Sequence, residues 1–540
     1  MNRLQACAIL AVLWALIYLP GLGSTEIKGE EGRRILPAIT MLETGNWLVP
    51  YVAGEPFLRK PPLVNWMIAG AFQLTSVRNE WTARLPSALC VLALGLTIVA
   101  TTGGGWLKVK TGLIAAVFAM TQVGLLAKAR FAGAEIEGIY APLSGMAIVC
   151  WLAWRTQRRS VWLVWIVPGI LLGIACLAKG PSLHLLFFYA VVIGVVWSTR
   201  EWRTLWHPAH FAGIALAAAI FASWAVPYFA SQETRGVEEV WKRQGVERFT
   251  KSEFNAGNYF SNLPRALADQ LPWILFLPLG VGVLRRKEAA ETSAPDVPEE
   301  RLRATLRGVA FASALCFCLV LLIPGTLPRY VLPLGVPFAF FLAWALAECA
   351  PSERAARWWH AGNRLLAAVL LAGALIAPFA AGANLAATDV RSLWMNFDLR
   401  RAIPVALLST VVIAGCVLVL ARRGIGLKTP WLAVTSAALF GGAMLLYAAA
   451  GVRWINRADD LRPLAAAIDA AVPDDQRLIL YNPGYLAAVF YLQTAYAYAP
   501  VIEDVPEDAR WLLARAREEQ KLRAKLPRFQ LLKKIPGPRG

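Results

Sequence analysis

Residues 30–62 read EEGRRILPAITMLETGNWLVPYVAGEPFLRKPP, and the fold turns on where this polar stretch sits. It follows an apolar run, residues 5–20, long enough to cross a bilayer, and precedes a second, residues 83–101. Being polar, it belongs outside the hydrocarbon. Glu30 and Glu31, then Arg33 and Arg34, then Arg59 and Lys60 therefore stand just beyond a hydrophobic anchor. Acids and cations are held together at a membrane surface. In an isolated juxtamembrane loop such charges would simply face water, so the rest of the chain has to decide.

With 540 residues, 57% hydrophobic content, 16% charged residues and a mean hydropathy of +0.51, the chain reads as a polytopic membrane protein. Soluble domains carry about 25% charged residues. The first apolar run is long and lacks a small-residue cleavage site, so it is read as a retained span. The net charge of +19 does not point to nucleic acid. Its basic residues cluster in short loops between apolar runs, with aromatics at the membrane ends. All eight cysteines lie in or beside apolar segments, with no CxxC pair or Cys/His cluster, so neither a disulfide framework nor a structural zinc site is indicated.

Runs of span length fall near residues 4–20, 83–102, 110–127, 138–154, 161–177, 182–198, 209–229, 271–284, 308–323, 330–348, 364–382, 402–421 and 430–450, about thirteen helices. Alternate loops carry Lys108 and Lys110; Arg155, Arg158 and Arg159; Arg200 and Arg203; Arg285, Arg286 and Lys287; Arg354 and Arg357; and Arg422, Arg423 and Lys428. Placing these in the cytoplasm satisfies the positive-inside rule, puts the N-terminus inside and puts the C-terminus outside. Residues 21–82, the long loop 230–270 and everything after Gly451 then share the outer face. Residues 1–450 form the transmembrane domain, and 451–540 a small extracytoplasmic α/β domain. In that domain LILYNP (478–483) reads as a strand, and LRPLAAAIDAAV and DARWLLARAREEQKLRAK read as helices. Residues 288–300 read as a cytoplasmic linker.

Further charges recur at membrane depth on the same face, where they are costly and usually functional. They are Glu135 and Glu137 in RFAGAEIEG, Lys179 in AKGP, Arg329 beside Tyr330 in GTLPRY, and Lys242, Arg243 and Arg248 in WKRQGVERF. Their convergence suits a transfer chemistry in which cations hold a lipid-linked phosphate while a carboxylate takes a proton from an incoming nucleophile. Arg or Lys contacts also balance the charge that develops on a departing phosphate. His184, His207, His210 and His360 are scattered and receive no role.

The opening stretch resembles the first extracytoplasmic loop of GT-C-fold glycosyltransferases of the aminoarabinose transferase and protein O-mannosyltransferase type, families 39 and 83. The matching residues are Glu30, Glu31, Arg33, Met41, Leu42, Thr44, Gly45, Trp47, Pro50 and Lys60–Leu63. The KGP turn at 179–181, WAVPY at 224–228, LPW at 271–273 and LPRYVLP at 327–333 follow in order, so the match covers about the first 350 residues. The resemblance implies inverting transfer of a sugar from a polyprenyl-phosphate donor, such as an undecaprenyl one, at the periplasmic face of the inner membrane. The acceptor would be lipid A, another lipid, a glycan or a protein. It makes Glu30 the counterpart of the family's catalytic Asp, Glu31 its neighbouring acid, Arg33 the donor-site Arg and Lys60 the lysine near the phosphate. Three residues depart from the pattern: Glu stands at 30 for Asp, Arg59 stands where an acid often precedes the lysine, and Arg34 stands where Tyr is common. The second-loop carboxylate is Glu135 or Glu137.

Glu30, Glu31, Glu135 and Glu137 are thus the candidate catalytic acids. Arg33, Arg34, Arg59, Lys60, Lys179, Arg243, Arg248, Arg329 and Tyr330 are the candidate donor or phosphate contacts. Paired carboxylates could hold a divalent cation, but adjacent Arg and Lys supply the neutralisation, so no obligatory metal or other cofactor is expected. The rivals are a lipid-linked glycan flippase, which would carry its ionisable groups near the bilayer midplane, and a ligase or polymerase of the same fold using a diphosphate donor.

Overall fold

The computed structural model describes residues 1–27, 29–242, 255–285, 297–349, 353–384, 397–422, 429–455, 460–484 and 486–535. Each of the thirteen apolar runs contains helix. Among the described residues, eight helices are long and apolar enough to cross a membrane, or nine if a bent pair counts as one span. Helices α1 (Arg3–Tyr18) and α9 (Leu183–Thr199) have 16 and 17 residues, a rise of about 24–26 Å, just short of a hydrocarbon core. The chain is a multi-pass helical membrane protein.

The outer stretch folds into α2 (Gly32–Thr44), a hairpin of β1 (Tyr51–Val52) and β2 (Glu55–Pro56), and α3 (Leu63–Thr75). In α2 the 3–4 spacing of Ile35, Ala38 and Ile39 buries one face against the bundle, and Leu36 on another face enters the core of the C-terminal region. Gly45, at φ +73, ends the helix by returning its N–H to Met41. Ala53 and Gly54 take φ of +57 and +83, the two left-handed positions of a two-residue hairpin turn.

Helix α4 (Glu80–Ala100), capped by Asn79, returns to the bundle. The span near 110–127 is broken: α5 (Val109–Thr121) and the following helix, Val123–Phe131, meet at 56°. Backbone groups freed inside a membrane need new partners. Here the N–H of Val123 reaches the Leu271 carbonyl at 2.9 Å and that of Gly124 reaches the Asp269 carbonyl at 2.8 Å. The break carries Lys128 to the end of the bundle where α7 (Glu137–Thr156) begins. Nearly every side chain of α7 is buried. It packs against α4 and α8 (Val161–Lys179), and α8 crosses α10 (Pro208–Ala230) where Gly169 meets Gly213 backbone to backbone.

The C-terminal region carries a three-stranded parallel sheet ordered β4–β3–β5, with β3 Leu478–Tyr481, β4 Tyr496–Ala499 and β5 Trp511–Leu513. The expected strand at 478 and the helix beginning LRPLAAAID (Arg462–Asp469) are present. The expected helix over 508–525 is corrected. Trp511–Leu513 pairs with Leu478–Leu480 as an edge strand, and only Glu519–Lys525 is α-helical. Pairing with a buried neighbour overrode the helical preference of the Ala- and Arg-rich run.

Candidate functional site

Charged side chains from four separate elements meet at one end of the bundle. Glu135 and Glu137, in the turn entering α7, are 7% and 6% exposed. Lys128 reaches Glu135 at 2.9 Å. Lys179, at the end of α8, stands 3.4 Å from Glu137 and lies 4.6 Å from the ring centres of both Tyr140 and Tyr330. Arg329 bridges the acids, 3.4 Å from Glu137 and 4.0 Å from Glu135. An ammonium packed between two aromatic faces gains cation–π attraction and does not extend to head groups.

The two acids differ. Burial pushes the Glu135 carboxyl above the ordinary carboxylate value, against the pull of Lys128. Burial acts the same way on Glu137, but Lys179 and Arg329 outweigh it and hold that carboxyl below its ordinary value.

The opening stretch joins this cluster through Arg34. Its guanidinium, 5% exposed, is drawn down by burial to about 10, while Glu137, Glu30 and Glu135 each oppose that shift. Arg34 therefore lies in the field of acids from both loops. Among the described residues its Nε and Nη1 have no hydrogen-bond acceptor, and its guanidinium carbon sits 5.3 Å from the centre of the Phe57 ring. Glu30 is half-buried and accepts from Arg33 Nη1 with both oxygens, at 2.7 and 2.6 Å.

Glu31 is placed elsewhere. Its carboxylate has no exposure, pairs with Arg84 at 2.8 Å through both oxygens, and accepts the Ala134 N–H at 3.2 Å. A carboxylate enclosed in this way fastens the loop to Arg84, and Glu30 is the more accessible of the two adjacent acids. Arg59 is exposed and Lys60 half-buried. Both follow Leu58, whose carbonyl accepts the Trp241 indole N–H at 2.8 Å. The Trp241 ring in turn lies against Gly180 of the KGP turn, so the second long loop spans from Lys60 to the Lys179 cluster. Arg243 and Arg248 lie outside the described residues.

Sequence reasoning missed Lys128, Tyr140 and Asp269. Lys128 had a signal, a charge inside an apolar run. Asp269, half-buried near Lys128, has its carboxyl raised by burial.

Below the cluster an apolar groove of about 310 Å³ runs between α8, α9 and α10. Trp165, Gly169, Leu172 and Cys176 share one face of α8 in its wall, and Pro181 closes its upper end. One turn, 179–181, thus places Lys179 in the charged cluster and Pro181 in the groove.

A family model described as dolichyl-phosphate-mannose-protein mannosyltransferase matches residues 33–238, beginning just after Glu30 and Glu31. An undecaprenyl phosphate-alpha-4-amino-4-deoxy-L-arabinose arabinosyl transferase 2 of Pseudomonas fluorescens (strain Pf0-1) is 27% identical over 363 residues, which cover 64% of this chain and 61% of that protein. The corresponding transferase of Erwinia tasmaniensis is 26% identical over 358 residues, covering 64% of this chain and 60% of its own. The match thus spans about three fifths of the length of these curated relatives. The crystal structure of ArnT from Cupriavidus metallidurans bound to undecaprenyl phosphate superposes with a TM-score of 0.62 at 20% identity, covering 97% of this chain and 88% of that one. The resemblance read from the motifs stands: the fold is that of GT-C glycosyltransferases of the aminoarabinose transferase and protein O-mannosyltransferase type.

Proposed function

We propose that the protein is an inverting glycosyltransferase that moves a sugar from a polyprenyl-phosphate donor to an acceptor hydroxyl at the periplasmic face of the inner membrane. The acceptor is lipid A, another lipid, a glycan or a protein, and the donor class is supported by curated relatives named for undecaprenyl-phosphate aminoarabinose transfer. The observation that carries the reading is the shared turn at 179–181, with cations above it and an apolar groove below. A lipid phosphate needs that pairing, head group among cations and tail among helices.

In this reading Glu30, the half-buried acid paired with Arg33, takes the proton from the acceptor hydroxyl. The freed oxygen attacks the anomeric carbon on the face opposite the phosphate, and the bond from that carbon to the phosphate oxygen breaks. Polyprenyl phosphate leaves with the electron pair, its charge balanced by Lys60, Lys179, Arg34 and Arg329. Arg33, bonded to both oxygens of Glu30, holds that carboxylate aimed until substrate enters. Glu135 and Glu137 fix Lys128, Lys179 and Arg329, and Tyr330 supports Lys179 from above. Residues 1–450 would form the catalytic unit in the membrane, with 451–540 outside it.

Purified protein in lipid nanodiscs tests the class of donor. Incubation with an undecaprenyl-phosphate sugar is expected to release undecaprenyl monophosphate together with a glycosylated lipid. Turnover confined to diphosphate-linked donors would move the protein to the ligase reading. Two variants probe the halves of the donor site. Lys179→Met removes a charge-assisted phosphate contact worth about 1.5–3 kcal/mol, so donor KM should rise about 10- to 100-fold, read from initial rates against donor concentration. Ala218→Trp changes an exposed residue of the groove wall. Transfer from a full-length isoprenoid donor is expected to fall about tenfold while a short-chain donor is used as before. Equal loss with both donors would place the tail elsewhere.

A further inference from the structure

The loop that delivers Glu30 hangs from two posts. The first is Arg84, whose guanidinium donates to the carbonyls of Leu22, Thr25 and Glu26 at 2.8–2.9 Å while pairing with Glu31. The second comes from the C-terminal region. The Tyr491 hydroxyl accepts the Ile27 N–H at 2.9 Å and donates to Glu80 Oε1 at 3.0 Å. The same Glu80 oxygen accepts from Arg462 Nη2 at 2.5 Å and Nε at 3.2 Å, and the Arg462 guanidinium carbon lies 5.6 Å from the centre of the Tyr491 ring. Glu80 is 9% and Ile27 1% exposed, which shields the Tyr491 bonds from water, while Arg462 closes the site from the solvent side at 41% exposure.

We propose that Tyr491, held by Glu80 and Arg462, is a positioning residue through which the C-terminal region aims Glu30, three residues after the bonded Ile27. Gly29 lies between them at φ +50, and nothing stands within 4 Å of where its side chain would be. The Glu31–Arg84 pair fixes the backbone after Glu30, and the Tyr491 bond to Ile27 fixes it before this joint, so the direction of the acid depends on both. Further packing ties the same region to the opening stretch: Leu36 of α2 sits among Ile468, Leu478 and Val489, and Tyr498 covers Val52 and Phe57. Of the cations assigned to the donor, Lys179 and Arg329 lie on other elements, and Arg34 sits on α2, past the point where Arg84 fastens Glu31. Loss of the Tyr491 hydroxyl therefore moves the base more than the phosphate contacts. Displacement of a reacting group by about 1 Å lowers turnover about 100-fold.

This proposal rests on the glycosyltransferase reading, and its test separates the two. Full-length Tyr491→Phe in nanodiscs is expected to lose about 10- to 100-fold in kcat while donor KM stays within about threefold. Its melting temperature should match the wild type, and amide exchange of peptides within residues 21–31 should quicken without substrate present. Arg462→Ala should weaken kcat in the same direction, and Arg462→Lys, which keeps a cation on Glu80, should restore most of it. Unchanged kcat and unchanged loop exchange in Tyr491→Phe overturn the proposal. A lowered melting temperature with faster exchange throughout the chain also overturns it, by reducing Tyr491 to a structural contact. Faster exchange confined to the loop, in a protein whose wild type transfers no sugar, leaves the positioning in place and sinks the transferase reading instead.

Discussion

Glu30→Gln is expected to lower kcat by about 10²- to 10⁴-fold, the contribution of a positioned general base, with donor KM nearly unchanged. Glutamine keeps the length of the side chain and an oxygen for Arg33, so the loop keeps its shape. It loses only the capacity to take a proton. Folding should be indifferent to the change, because the Glu30 carboxylate is 37% exposed and Arg33, with which it pairs, is 24% exposed, and a pair of that class contributes at most about 1 kcal/mol. Rates of sugar transfer measured beside thermal melting in the same detergent make the comparison. Turnover equal to wild type would remove Glu30 from the chemistry. Glu30→Asp, which restores the residue common in the resembling family, should retain transfer at a reduced rate, since the carboxylate is drawn back by about 1.5 Å on an otherwise fixed loop.

What the sequence made legible follows from which forces act locally. Span-length apolar runs are a local property, and helices occupy all thirteen positions. The charges in the 135–137 and 179 turns and at 329 stood out because bilayer depth makes charge expensive, and those residues do converge. Pairings made over distance left no such trace. Nothing near Glu31 announces Arg84, 53 residues later, as its partner, so an enclosed carboxylate looked like its more accessible neighbour. The break at Gln122 depends on carbonyls of Asp269 and Leu271 that no window around 122 contains. Trp511–Leu513 became a strand because β3 offered it an edge, against the preference of its own segment. Lys128 is different: its charge within an apolar run was readable.

Glu31 stands beside Glu30 yet is expected to fail for another reason when changed. Glu31→Ala leaves the Arg84 guanidinium, itself without exposure, without its paired carboxylate, and removal of one partner from a buried pair costs about 3–5 kcal/mol. Much of a domain's net stability is of that size, so the variant should melt far below wild type or be recovered in poor yield. Arg84→Met should be at least as harmful, because the same guanidinium also satisfies the carbonyls of Leu22, Thr25 and Glu26. Replacing both charges with apolar groups would leave those carbonyls bare, so the double variant should regain only the part of the loss due to the unpaired charge. Glu31→Gln, whose one amide oxygen can still accept from Arg84 Nε and the Ala134 N–H while its amide nitrogen leaves Arg84 Nη2 without an acceptor, should fall between wild type and Glu31→Ala. Thermal unfolding of the four variants, with transfer rates expressed per folded molecule, decides between structure and chemistry. If Glu31→Ala melted like wild type yet lost transfer, Glu31 would have to be counted among the reacting groups. If instead stability falls while the remaining folded molecules still turn over, the two adjacent acids divide the labour: Glu31 fastens the loop from inside, and Glu30 works at its open side.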